Sequence, residues 1–329
     1  MTITSRSLVR AALAGGLVSL AFAGITAPAM AQDKQIVAIY KSGTQQYFID
    51  QANGFTKAAE AAGYTAKTIN VELDANLAIS AISDAIASGA KGIAITAPDQ
   101  AIGPSVSKAA TDAGIPLVAT DDALKDGAGN AVPFVGFDGK DMGTKVGVAA
   151  GELLKASGWL TAGNYGVLSV EVQTLSVCND RTNASRDEVT KAGADAAKIF
   201  AVAYDGTTNA SLDAAGPVIT AHPDVENWVV FACNDEGALG AVNALTNAGF
   251  APDKIIAVGL GAYEACRPWA AGQASGFKAA LYISGVDVGD AAAKALIANL
   301  DNGTALPPMT VANTTIVNPS NYKDIMPCT

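Results

Sequence analysis

The chain has 329 residues, half of them hydrophobic, with 21 Lys and Arg against 31 Asp and Glu and a single His. That length allows two domains with cores of their own, and it excludes a disordered chain or a miniprotein held by disulfides. A formal charge of −10 and a pI near 4.6 repel phosphate backbones and anionic lipid, so neither nucleic acid nor a membrane surface is expected as a partner; one His excludes a multi-histidine metal centre.

Residues 1–31 read as a cleaved secretory signal. Arg6 and Arg10 precede an apolar run from Ala11 to Gly24, and Ala29-Met30-Ala31 places the cut before Gln32. The apolar run falls short of the ~20 residues that span a bilayer, and no Cys lies near the cut to carry a lipid. Export suits the four cysteines, Cys178, Cys233, Cys266 and Cys328, an even number that can pair in an oxidising compartment. Three connectivities are open; Cys266 with Cys328 is the expected one, because it would tie down the C-terminal tail.

From Ile36 onward, short apolar runs alternate with Ala-rich stretches. The runs are IVAIY (36–40), TAKTINV (65–71), GIAIT (92–96), PLVAT (116–120), VPFVGF (132–137), GVLSV (166–170), KIFAVAY (198–204), WVVFA (228–232), KIIAVGL (254–260) and FKAALYI (277–283). Segments between them, such as GFTKAAEAAG and LAISAISDAIASGAKG, carry apolar residues at helical spacing and close on Gly. Strands apolar on both faces and separated by helices predict parallel sheets covered on each side. So many strands exceed one compact sheet, and the expected class is α/β with two doubly wound parallel-sheet domains.

Ligands of such sheets bind beyond the carboxyl ends of the strands. Lys41, Asp99, Asp121, Asp122, Asp138, Glu171, Asn234 and Asp235 all stand at such ends. Carboxylates, Asn and Lys in a cleft match a polyhydroxylated ligand, whose hydroxyls each donate and accept; the competing role for each is a cap on the next helix. Asp121 and Asp122 could serve as an acid/base pair on a glycoside, but adjacent residues of an extended segment are expected to point opposite ways. GLGAYE (259–264) lacks the third Gly of a dinucleotide fingerprint, and no phosphate-binding Gly-Lys-Ser/Thr loop occurs. His222 lies in a Pro-containing loop without a G-x-S-x-G elbow and reads as loop packing. Neither catalysis nor a cofactor is expected.

Four stretches, IASGAKGIAITAPD (86–99), PLVATDD (116–122), HPDVENWVVFACNDEGALGAV (222–242) and GFAPDKIIAVGL (249–260), resemble the periplasmic sugar-binding proteins of ABC importers, type I fold, and within them the arabinose-binding members. The likeness runs over nearly the whole chain after the leader. It implies a lobe of residues 32–137 and 284–312, a second of 138–283 and 313–329, and chain crossings near Phe137-Asp138, Ile283-Ser284 and Ala312-Asn313. Position by position it implies that Lys41 donates to sugar hydroxyls, that Tyr47 and Phe48 pack on an apolar sugar face, and that Asp122, with Asp121 beside it, accepts from the anomeric hydroxyl. It gives Arg181 the ring oxygen and Asn234 a hydroxyl. Three positions depart from the arabinose pattern: Gln45 replaces a glutamate, Gly261 a sugar-binding asparagine and Glu264 an aspartate. Phe137 stands where a Met lines the pocket floor. The resemblance implies a monomer in the periplasm that binds an aldopentose or related aldohexose and hands it to the membrane subunits of an ABC permease. A chemoreceptor or sensor kinase is the alternative partner. A regulator of related fold would need a DNA-binding helix pair where the leader stands, and a secreted glycosidase would consume its sugar.

Overall fold

This computed structural model describes residues 34–328, and the expected signal over residues 1–31 lies outside them. The chain opens with β1 (Gln35–Tyr40), α1 (Gln46–Ala61), β2 (Thr65–Asn70), α2 (Ala75–Ala87), β3 (Gly92–Ile95), α3 (Gly103–Asp112), β4 (Leu117–Thr120) and β5 (Phe134–Gly136). It continues through α4 (Gly139–Ser157), a single turn α5 (Trp159–Ala162), β6 (Tyr165–Glu171), α6 (Ser176–Lys191), β7 (Ile199–Ala203), α7 (Thr208–Ala221), β8 (Asn227–Ala232), α8 (Asp235–Asn247), β9 (Ile255–Gly261), α9 (Tyr263–Ala270) and β10 (Phe277–Ile283). The last elements are α10 (Gly285–Asn302), β11 (Thr310–Val311) and β12 (Thr314–Val317).

Two six-stranded sheets result, in the orders β11-β5-β4-β3-β1-β2 and β12-β10-β9-β8-β6-β7. All pairs are parallel except β10 with β12. The chain passes from the first sheet to the second after β5, returns after β10 as α10, which packs on α1, and crosses again between β11 and β12. The α/β class and the doubly wound sheets follow the alternation in the sequence. The differences lie at the edges. TAKTINV forms an edge strand with exposed positions rather than a doubly covered one, and the tail supplies two short strands that no apolar run announced.

Central strands such as β3, β4, β6 and β8 are buried along their whole length, the pattern of a sheet sandwiched between helices. No helix among the described residues is long and apolar enough to cross a membrane. Helices α4 and α6 meet through glycines. At Gly143 an added Cβ would lie 2.7 Å from the Arg181 carbonyl carbon, and at Gly147 2.6 Å from the Ser185 carbonyl oxygen. This close approach sets the position of α6, which carries Arg181.

Replacing Gly147 by Val forces the two helix backbones apart. The expected loss is about 1–3 kcal/mol of unfolding free energy, read from urea denaturation; an unchanged midpoint would mean the helices do not touch as described.

Candidate functional site

A cavity of about 330 Å³ lies between the carboxyl ends of the two sheets. Eight of the residues singled out in the sequence line it together: Lys41, Gln45, Tyr47, Phe48, Asp121, Asp122, Arg181 and Asn234. Lys41 follows β1, the two aspartates follow β4, Arg181 rides on the second turn of α6, and Asn234 starts α8.

Asp121 and Asp122 correct the expectation that they point apart. Asp121 has φ 58°, in the left-handed region, so the alternation of an extended strand stops there and both carboxylates reach the same lysine. Lys41 donates to Asp122, and its Nζ lies 3.7 Å from Asp121 Oδ2. From the opposite half, Arg181 Nη2 comes within 3.5 Å of Asp121 Oδ1, while Nη1 donates to the Cys233 carbonyl at 3.1 Å. All four side chains are buried, and Asp122 has no exposed surface at all. Such burial is tolerable only because each charge has an opposite neighbour.

The cluster is nevertheless incompletely bonded. Tyr47 Oη, Asp121 Oδ1, Asp122 Oδ1, and Arg181 Nε and Nη2 are buried without a hydrogen-bond partner. An unmet buried polar atom costs about 1–3 kcal/mol, and five on four residues that line one cavity, two of them facing each other at 3.5 Å, suit a ligand rich in donors and acceptors. Tyr47 and Phe48 supply the apolar side: their rings meet edge to face at 4.9 Å, and Lys41 Nζ sits 5.4 Å from the Phe48 ring. Both rings also belong to the core, so packing and cavity wall are one role here.

Other expected residues fall elsewhere. Phe137 is 2 % exposed and does not line the cavity; its ring packs 6.2 Å from that of Tyr47, which does. Glu264 also lies outside the cavity, because the first turn of α9 points it into a neighbouring surface hollow where it pairs with Arg267 at 2.8 Å. Asp99 and Asp138 act as helix caps, accepting from Ala101 N and Asp141 N, and Glu171 is occupied by Arg186 and Ser169. Gly261 does line the cavity, with φ 137° and Asp235 packed against its Cα side. His222 stacks on Phe200 at 3.9 Å.

Tyr204, Asp205, Gly206, Glu236 and Tyr263 also line the cavity, and no sequence expectation named them as site residues. Tyr204 ends β7 and donates to Asn234 Oδ1, which also accepts from Gly237 N, so Asn234 caps α8 and faces the cavity at once. Two contacts join the halves at the rim. Gln45 Nε2 donates to the Gly206 carbonyl at 3.3 Å, and Gln100 Oε1 accepts from both the backbone N and the Oγ of Ser176 at 2.8 Å. The cysteines are paired Cys266 with Cys328 and Cys178 with Cys233, with Cα separations of 5.8 and 4.9 Å; the second pair lines the cavity.

Burial raises several carboxyls. It lifts Asp122 above the ordinary range, with Lys41 opposing the rise and Asp121 adding to it. It pushes Asp235 to about 6 and Glu236 to about 8, with each other's charge or that of Glu264 contributing. Among the described residues no cluster of three or more His, Cys, Asp or Glu side chains is arranged to hold a metal ion.

With this geometry in place, comparison with known proteins is informative. A family model described as periplasmic binding protein domain matches residues 36–304. The ABC transporter L-arabinose-binding periplasmic protein of Azospirillum brasilense is 27% identical over 292 residues, 87% of each chain. The ribose import binding protein of Salmonella typhimurium is 29% identical over 243 residues, 71% of this chain and 75% of that one. Among solved structures, the Caulobacter myo-inositol binding protein bound to myo-inositol superposes with a TM-score of 0.74 at 19% identity, covering 89% of this chain and 96% of that one.

The raised carboxyls give a signed pH effect. A carboxyl whose pKa rises on folding holds its proton more tightly in the folded chain, so its contribution to stability is present at low pH and is lost as pH climbs. The window opens near the ordinary values of 3.8 and 4.5 and closes at about 6 for Asp235 and about 8 for Glu236. Glu236→Gln removes the upper part of that slope. The melting temperature of the variant should therefore fall less than that of the wild type between about pH 6 and 8; parallel curves would contradict the shift.

Proposed function

The chain belongs to the periplasmic binding protein family, a family of binding proteins rather than enzymes, and from that premise we propose that it captures a monosaccharide between its two halves for import. The observation that carries this reading is the set of five unbonded polar atoms on Tyr47, Asp121, Asp122 and Arg181, in a cavity that also offers aromatic faces. Hydroxyls donate to the two carboxylates and accept from Lys41 and Arg181, while the C–H face of a sugar ring lies on Tyr47. Curated relatives named for arabinose and ribose support a sugar of pentose or hexose size. Gly261, which offers no side chain, argues that the hydroxyl pattern differs from that of arabinose.

Residues 32–137 and 284–312 form one proposed lobe, and residues 138–283 and 313–329 the other, with the hinge at the three crossings. Lys41 and Asp122 belong to the first, Arg181 and Asn234 to the second. A ligand that contacts both favours the closed arrangement by those differential contacts, and an ABC permease takes up that closed form. The expected leader, cut before Gln32, delivers the monomer to the periplasm.

Isothermal calorimetry against arabinose, galactose, fucose, xylose, ribose and furanose or branched sugars tests the assignment. One of them should bind and be recovered unchanged; turnover, or no heat from any of them, would overturn it. Arg181→Ala should weaken that sugar by at least about 10-fold, the worth of a charge-assisted hydrogen bond of about 1.5–3 kcal/mol. Retained wild-type affinity would remove Arg181 from the site.

A further inference from the structure

The disulfide between Cys178 and Cys233 lies in the wall of the cavity. Both residues are 3 % exposed, both line the ligand cavity, and they join the first turn of α6 to the residue that follows β8. Three residues beyond Cys178 on the same helix is Arg181, and the residue after Cys233 is Asn234. The Cys233 carbonyl is itself the acceptor for Arg181 Nη1 at 3.1 Å. That single bond leaves Arg181 Nε and Nη2 free of hydrogen-bond partners.

We propose that Cys178–Cys233 is a positioning element of the binding site, which holds the Arg181 guanidinium in the geometry the ligand requires. This rests on the reading of the cavity as a sugar site. The reasoning is mechanical. Arg181 has one protein acceptor, a carbonyl belonging to a half-cystine, and α6 receives no cap from its own N-cap residue, Leu175. Without the cross-link, the start of α6 and the end of β8 are joined at this point by packing of Val172, Leu175 and Val177 and by the Arg181–Cys233 hydrogen bond. The Arg181 guanidinium then samples orientations that must be reordered on binding, and ligand affinity falls by the loss of preorganisation. The second disulfide, Cys266–Cys328, anchors the tail to α9 and does not line the cavity. It serves as an internal control of the same chemistry.

The test uses the oxidised protein and the sugar identified by the calorimetric panel. Cys178→Ser with Cys233→Ser should raise the dissociation constant about tenfold or more, the scale of a lost positioning contact, whereas Cys266→Ser with Cys328→Ser should lower thermal stability and leave that constant within about twofold. Equal affinity of wild type and the first double variant would overturn the proposal. A wild type that binds no sugar would instead overturn the assignment of the cavity. A second measurement needs no variant and covers the case in which the first one does not fold. Dithiothreitol reduces a disulfide to two thiols by successive exchange, transferring two electrons and two protons and ending as its own cyclic disulfide. Saturating sugar should slow reduction of Cys178–Cys233 at least about fivefold, by covering it and holding its two arms, and leave Cys266–Cys328 unaffected, as read by alkylation and peptide mapping. Equal rates for Cys178–Cys233 with and without sugar would also overturn it.

Discussion

Two carboxylates on consecutive residues and both out of water impose the central constraint on this molecule. Taking an ion out of water costs several kcal/mol even after relaxation, and only close opposite charges offset it. Lys41 supplies one such charge from the end of β1, on the same sheet as the aspartates. Arg181 supplies the other from α6, on the other sheet. The ion cluster therefore spans the boundary between the halves, and the position of α6 becomes a condition for the site. Glycines at 143 and 147 answer that condition, because they let α4 lie directly against the α6 backbone at Arg181 and Ser185. Ser185 Oγ then donates to the Gly143 carbonyl at 2.9 Å and stitches the approach.

The sheets were legible because burial on both faces leaves a mark in one dimension: runs of Val, Ile and Ala with helices between them. Most of the cavity was legible for a related reason, since ligands gather at strand ends and strand ends can be counted. What escaped was set by local geometry or by distant neighbours. Nothing in the letters around Asp121 announces a left-handed backbone, yet that one angle decides whether two carboxylates diverge or share a lysine. Phe137 reads as a pocket residue by position, but it is buried in the core against Tyr47 and does not reach the cavity. Glu264 reads as a neighbour of the sugar, but the Ala262 turn at φ 70° sends it outward to Arg267. Tyr204 closes an apolar run and reads as part of it, Glu236 stands two residues into a strand end already occupied by Asn234 and Asp235, and a disulfide partner lies outside any periodicity.

Asn234 illustrates why a cap and a ligand contact are not competing explanations. Its Oδ1 closes the first turn of α8 and accepts from Tyr204, and its Nδ2 donates to the Gly206 carbonyl. The side chain is held by three groups of the protein itself. Asp99 and Asp138 cap helices too, but neither lines the cavity. The capping role is the same in all three, and what differs is whether the side chain borders the cavity.

The unbonded atoms and the bonds across the rim do different work in closing the halves. Gln45 with Gly206 and Gln100 with Ser176 are contacts of protein with protein, so they favour the closed arrangement equally whatever the cavity holds, and they set how far the empty protein is biased toward it. Arg181 and Asp121 already pair across the boundary at 3.5 Å, so on the proposed reading a ligand adds its own contacts with Tyr47, Asp122 and Arg181 to a bias the protein already has. A ligand shifts such an equilibrium by its differential affinity alone. A strong rim would close the halves without cargo, and a weak one would leave the whole cost of closure to the ligand. On the proposed reading, the Arg181–Asp121 ion pair and the two glutamine contacts set the bias of the empty protein, and the ligand's differential contacts supply the rest.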